Sequence, residues 1–289
     1  MIQQLSYAMK YVLGRDVAGR NLFVFPDDTF LVSYPKSGST WARFLVAALA
    51  NPSETVSFLN IDRLLPSISS RSKRDLRKQR RPRLIKSHEY FDARYQNVIY
   101  LVRDPRDVVL SQYRFFLKRG AIDDGYTLDR FVNRFLAGDL NTYGSWGENV
   151  GTWLVSQNGA KRFLLVRYED MLRETARELQ TIANFLGLSV SPGHLARCVE
   201  QGSADRMRDL EKKQGSQWVT TKGVRTDIPF VGAAQAGGWK SGLAVQHIAQ
   251  IESAWGPLMR HLGYELSNEP ASQETASGVV NSVLRQPSR

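Results

Sequence analysis

The 289-residue chain has one cysteine, Cys198, which excludes an intrachain disulfide. Within LARCVE that residue reads as a buried structural thiol at an apolar helical position, without a His or acid at metal-ligand spacing. No apolar run approaches the roughly 20 residues of a membrane span, and the N-terminal MIQQLSYAMKYVLGR lacks the charged start and continuous apolar core of a signal peptide. These absences predict a cytoplasmic protein with no transmembrane segment. Ile2, Leu5, Met9 and Val12 recur at helical spacing, which fits a helix packed on the domain first and peripheral membrane contact second. No Gly/Ser- or Pro-rich linker interrupts the chain before residue 267, and no internal repeat is visible. One domain over residues 1–267 is expected, followed by a polar, turn-rich flexible tail, 268–289.

Acidic residues are also in short supply: 39 Lys and Arg against 28 Asp and Glu leave a formal charge of +11. The surplus concentrates in RSKRDLRKQRRPR, Arg71 to Arg83, with eight basic residues against one acidic. Such a run suits nucleic acid, an anionic membrane, an acidic substrate or a solvated loop. Stacking aromatics do not interleave with it, and no zinc-finger or RNA-recognition signature is present, so nucleic-acid binding is disfavoured.

What the chain does contain is FLVSYPKSGSTW, residues 30 to 41. A short apolar, β-rich run (Phe30, Leu31, Val32) is followed by a helix-forming stretch that stops at Asn51-Pro52. Gly38 permits close backbone approach, the N–H groups of Ser37 to Trp41 can face the turn, and the helix start is partially positive. A phosphate or sulfate fits such a loop, with Lys36 as counter-charge. The triphosphate loop G-x-x-x-x-G-K-[ST] is absent, because here the lysine precedes the glycine. An ordinary capped strand-to-helix turn uses the same residue types.

Two further units follow the same plan. PRLIKSHEYF places Leu84 and Ile85 in a short strand that ends in Lys86-Ser87-His88, at the edge where ligands sit in open α/β sheets. An imidazole there can take a proton near neutrality and a lysine can stabilise developing negative charge; a surface histidine with a structural role is the alternative. NVIYLVRDPRDVVLSQYRFFLK supplies a buried strand at Val98 to Val102, an N-cap at Asp104 and Pro105 in the first helical position. Arg103 and Ser111 are placed to hold a second anion, unless Arg103 is a partner of Asp104 or Asp107. FLLVRYEDM, Phe163 to Met171, reads as another strand before a helix that ends at Gly187. Alternating strands and helices predict an α/β fold: a three-layer, mostly parallel sheet flanked by helices, with these strand ends on one edge.

Taken in order, YPKSGSTW, PRLIKSH, IYLVRDPRDVVLSQY, YGSWGENVGTWL, VRYEDM and GGWK resemble the soluble, cytosolic-type sulfotransferase family over residues 28 to 266. The resemblance implies a P-loop nucleotide-kinase-like fold and transfer of a sulfuryl group from 3′-phosphoadenosine 5′-phosphosulfate (PAPS) to a hydroxyl or amine. It implies that Ser37, Gly38, Ser39 and Thr40 bind the donor's 5′-phosphosulfate, with Lys36 at the bridging oxygen. Trp41 and Tyr168 are implied at the adenine, Arg103 and Ser111 at the 3′-phosphate, His88 as general base and Lys86 as the second lysine. Ser203, Gly237, Trp239 and Lys240 match further donor-site positions. Because a transferring sulfuryl group carries less negative charge than a phosphoryl group, two lysines are expected to replace magnesium, and no metal is expected.

The chain departs from the family pattern in FVGAAQAGGWK, with Gly232, Ala233 and Ala234 where Arg, Lys and Gly are expected, and in GSADRM, with Ala204 in place of an aromatic. Lys222, Arg225 and Lys240 are the substitutes considered for the missing 3′-phosphate clamp. The acceptor, a small molecule ahead of a lipid or carbohydrate, is expected to meet Phe58 to Arg83, Tyr90, Phe91 and Gly120 to Tyr143. Two other classes compete: a P-loop-type kinase using ATP and magnesium, and a non-catalytic binder of anions or nucleic acid.

Overall fold

The computed structural model describes residues 16–156 and 161–267, so the amphipathic stretch ending at Arg15 and the 268–289 tail lie outside the described residues. Four strands form one sheet: β1 (Thr29–Ser33), β2 (Leu84–Ser87), β3 (Asn97–Val102) and β4 (Arg162–Arg167). Their order is β2-β1-β3-β4 and every pairing is parallel, with Thr29 opposite both Leu84 and Asn97, and Asn97 opposite Arg162. The chain leaves β1 toward β2 and returns on the other side as β3. The C-terminal ends of β1 and β3 therefore flank the point where strand order reverses, the usual ligand crevice of an open α/β sheet.

The alternation of side chains along the strands makes the three layers. Phe30, Val32, Val98, Tyr100 and Val102 point into one core, whereas Leu31, Ile99 and Leu101 point into the other. The second core is covered by α1 (Ser39–Ala50), by the short α2 (Ile61–Leu64) and by α8, α9 and α10 (Thr175–Leu186, Pro192–Gln201, Ala204–Gln214). The first is covered by α4 (Pro105–Lys118), α5 (Leu128–Ala137), α6 (Trp146–Val155) and α12 (Val245–His261). Short helices α3 (Lys73–Arg77), α7 (Tyr168–Arg173) and α11 (Trp239–Gly242) complete the set. The expected α/β sandwich is present. β4 ends earlier than the sequence predicts: Tyr168 already opens α7, its acidic neighbours Glu169 and Asp170 lying in the first helical turn, where they complement the dipole.

Part of the basic run is tied into the fold, while Arg74, Arg77, Lys78 and Arg80 stay exposed. Arg83 forms a fully buried ion pair with Asp28 immediately before β1, Arg81 pairs with Asp27, Lys73 with Asp16, and Arg71 donates to the carbonyl of Asp62. The run ends where β2 begins, at the sheet edge opposite His88. Arg83 therefore does not line the reacting edge as expected, and Phe58, 2 % exposed, belongs to the core under α1. Cys198 is buried as predicted, but His194, four residues earlier on α9, brings its ring nitrogen to 3.6 Å from the thiol sulfur. No helix among the described residues is long and apolar enough to cross a membrane.

Candidate active site

After β1 the backbone turns through Lys36 (φ 70°) and Gly38 (φ 94°) into α1. A Cβ on Gly38 would lie 2.5 Å from the Tyr168 ring, so only glycine lets the loop pass beneath that ring in this left-handed conformation. The Ser37 hydroxyl is buried and has no protein partner, which leaves an unmet polar atom in the turn. Lys36 is half-buried, and its ammonium is 4.2 Å from the Phe115 ring and 4.7 Å from the Phe230 ring. Burial pushes it down to about 7; nearby Arg103 and Lys118 act in the same direction and Glu211 opposes them.

His88 follows β2 directly, and its Nδ1 lies 2.6 Å from the main-chain oxygen of Ser33 at the end of β1. A carbonyl only accepts, so Nδ1 carries the proton and Nε2 is left as the free acceptor. Burial, and then the charge of Lys86, hold the imidazole well below its usual range and hence neutral. Lys86 is itself buried and displaced well downward, first by burial and then by Arg43. The His88 backbone is pinned from α6: Asn149 donates from Nδ2 to the His88 carbonyl (3.1 Å), and Trp153 donates to that of Glu89 (2.9 Å). The Tyr100 hydroxyl orients the same amide by donating to Asn149 Oδ1 (2.9 Å). Tyr143 lies 5.6 Å from the His88 ring, centroid to centroid, and its carbonyl accepts from Asn149 at 3.4 Å. Tyr90 packs against Gly144, where an added Cβ would come within 1.9 Å of the Tyr90 hydroxyl. Of the expected acceptor segments, then, Tyr143 stands beside the His88 ring, Tyr90 lies at Gly144, and Phe91 packs edge-on against Trp153.

Of the second predicted anion pair, Arg103 stands at the end of β3. Arg103 lies over the Tyr168 ring (4.2 Å), donates to the Gln235 carbonyl (3.1 Å) and faces Asp107 at 3.6 Å, while its buried Nε has no partner. Asp104 pairs instead with Arg106. Asp107 also accepts from the backbone N–H groups of Gly237 and Trp239, both at 2.9 Å, which ties the GGWK segment to the first turn of α4. The Trp239 ring lies 3.7 Å from the Arg106 guanidinium, and Lys240 is exposed. Trp41 donates to the Gly202 carbonyl (2.8 Å) and meets the Tyr168 ring edge-on. Ser203 serves as the N-cap of α10, and Ser111 is half-buried two turns into α4. Arg225 is engaged by Asp124 and Asp227.

The rings around Lys36, the Asn149 bracket and the Asp107 anchor are site features that sequence reading missed. For Asn149 the signal was YGSWGENVGTWL, whose tryptophans and asparagine recur on one helix face.

Comparison with known proteins gives the family. The family model described as Sulfotransferase domain matches residues 26–263. Sulfotransferase 2A1 of Rattus norvegicus is 32% identical over 247 residues, covering 81% of this chain and 86% of the relative. The 3-beta-hydroxysteroid sulfotransferase of Cavia porcellus is 29% identical over 250 residues, covering 82% and 85%. Among solved structures, mouse sulfotransferase SULT7A1 complexed with PAP superposes with a TM-score of 0.67 at 22% identity, covering 83% of this chain and 87% of that one. Retinol dehydratase in complex with androsterone and PAP gives 0.67 at 20%, covering 84% and 83%. The chain thus belongs to the sulfotransferase family.

Proposed function

We propose that the protein moves a sulfuryl group from PAPS to a hydroxyl or amine of a small, ring-bearing acceptor by in-line displacement. The observation that carries this reading is a neutral imidazole with a free Nε2 and the Lys36 ammonium at the ends of adjacent strands, beside a loop whose Ser37 hydroxyl is buried and unmatched. The residues fit an anion at both ends of the crevice, since Arg103 likewise has a buried donor without a partner. Bound PAPS supplies the activated sulfuryl group and a good leaving group.

The chain's own residues do the rest. Ser37, Gly38, Ser39 and Thr40 cradle the 5′-phosphosulfate with backbone N–H groups, hydroxyls and the start of α1. His88 Nε2 takes the acceptor's proton as the new S–O bond forms. Lys36 neutralises the charge that gathers on the oxygen linking phosphorus and sulfur as the old bond breaks, and Lys86 adds positive potential behind it once the bound anion favours its charged form. Tyr168, stacked under Arg103, and Trp41 bound the adenine side. Tyr90 and Tyr143 offer an aromatic wall to a ring-bearing acceptor, in keeping with a relative named for 3-beta-hydroxysteroids; lipid and glycan hydroxyls rank behind it. A cytoplasmic setting goes with this reading.

The test is direct. The purified protein should bind adenosine 3′,5′-bisphosphate (PAP) in the presence of EDTA and transfer label from PAPS to a panel of phenols and hydroxysteroids. His88→Ala should lower turnover by about 10²-fold or more with PAP affinity within about twofold. Preference for ATP and magnesium, or full activity of His88→Ala, would overturn the assignment.

A further inference from the structure

The segment Gly232 to Ala234 lacks the Arg-Lys pair that the family pattern places there, and two arginines from elsewhere in the chain bond to it. Ala234 takes φ 52°, a left-handed conformation uncommon outside glycine, so the segment turns there. Two guanidinium groups grip it: Arg208 Nη2 donates to the Gly232 carbonyl and Arg103 Nη2 to the Gln235 carbonyl, each at 3.1 Å. Residues three apart span at most roughly 11 Å, so both arginines converge on one short loop. Each also has a carboxylate neighbour. Arg103 faces Asp107, and Arg208 bonds Asp205 at 2.8 Å on α10, with the Asp205 side chain 96% exposed. An ion pair that open to water contributes little and gives way readily to a better anion. The buried Nε of Arg103 has no hydrogen-bond partner, which points to an absent acceptor beside the loop. Arg225 is shared between two carboxylates, Asp124 and Asp227, whereas Arg208 has one and bonds directly to the segment.

We infer that Arg208, together with Arg103, grips the 3′-phosphate of the donor in place of the missing Arg-Lys pair. This rests on the PAPS reading. A guanidinium matches a phosphate with paired, charge-assisted hydrogen bonds, and Arg208 on α10 reaches the same short loop as Arg103. The sequence around the usual clamp could therefore drift to Gly-Ala-Ala without removing positive charge from the site.

The experiment compares PAP with adenosine 5′-monophosphate, which lacks only the 3′-phosphate, by calorimetry on the full chain. Wild type should prefer PAP by about 100-fold or more, since hydrogen bonds to charged groups count for most of that contact. Arg208→Ala should weaken PAP by about 10-fold or more and leave the monophosphate within about twofold, and Arg208→Lys should recover part of the loss. Equal weakening of both ligands would show a structural role, and unchanged PAP affinity would show no role; either overturns the inference. Arg208→Gln, with thermal melting alongside, repeats the comparison if the alanine variant folds poorly. If wild type itself does not distinguish the two nucleotides, it is the PAPS reading that fails.

Discussion

The state of Lys36 predicts that donor binding takes up a proton. In the free protein its ammonium lies between Phe115 and Phe230 and loses its charge near pH 7. An anion in the loop favours the charged form, so the bound lysine titrates higher than the free one. The complex then holds more protons above pH 7, and affinity must fall as pH rises through and beyond that value, levelling off below about pH 6. With a free value of about 7, roughly one lysine in eleven is charged at pH 8, and recharging it costs about 1.4 kcal/mol there and about 2.7 kcal/mol at pH 9. PAP affinity should drop about fivefold between pH 7 and 8 and about tenfold between pH 8 and 9. Calorimetry in buffers of different ionisation enthalpy should show uptake of about 0.5 proton at pH 7 and about 0.9 at pH 8. The ligand's phosphates do not imitate the loss, because their second ionisation, near pH 6, is largely complete by pH 7. Lys36→Arg separates this lysine from Lys86 and His88, since a guanidinium stays charged throughout and should flatten the profile. A flat wild-type profile, or an identical slope in Lys36→Arg, would refute the reasoning.

Two other outcomes test how the fold supports the site. Removing the Asp28 carboxylate with Asp28→Ala leaves Arg83 buried without its counter-charge, and urea unfolding should show a loss of about 3–5 kcal/mol. Asn149→Ala deletes the donor that fixes the His88 and Tyr143 carbonyls; kcat should fall about 10-fold or more while PAP affinity holds, because loosened positioning acts on the reacting geometry. Tyr100→Phe, which removes only the hydroxyl that orients the amide, should show a smaller effect in the same direction.

The strand-loop-helix units were legible because each is written in contiguous residues. Gly38 follows Lys36 by two positions, and Asp104-Pro105 marks a helix start by local chemistry alone, as the cap bond from Arg106 confirms. Alternation along Phe30, Leu31 and Val32 already separates the two cores. What stayed hidden depends on tertiary approach. Phe115 and Phe230 meet around Lys36 from distant parts of the chain, and nothing in either neighbourhood marks them as its partners. The basic run looked like a binding surface because its acids, Asp16, Asp27 and Asp28, lie more than forty residues away in sequence and join it only on folding. His194 was different: it stands one helical turn before Cys198, so that contact was readable and was overlooked. Tyr168 was assigned to a strand because the apolar run before it continues smoothly, whereas its acidic successors already belong to a helix.

The hydrogen bond from His88 to the Ser33 carbonyl has an evolutionary meaning as well as a chemical one. Which nitrogen of the ring carries the proton is decided by a peptide group, and no substitution at Ser33 short of a change in backbone path can delete that oxygen. Side chains around the crevice are thus free to diverge while the protonation pattern of this imidazole is inherited unchanged. Selection can rewrite what the enzyme sulfates without having to rediscover how.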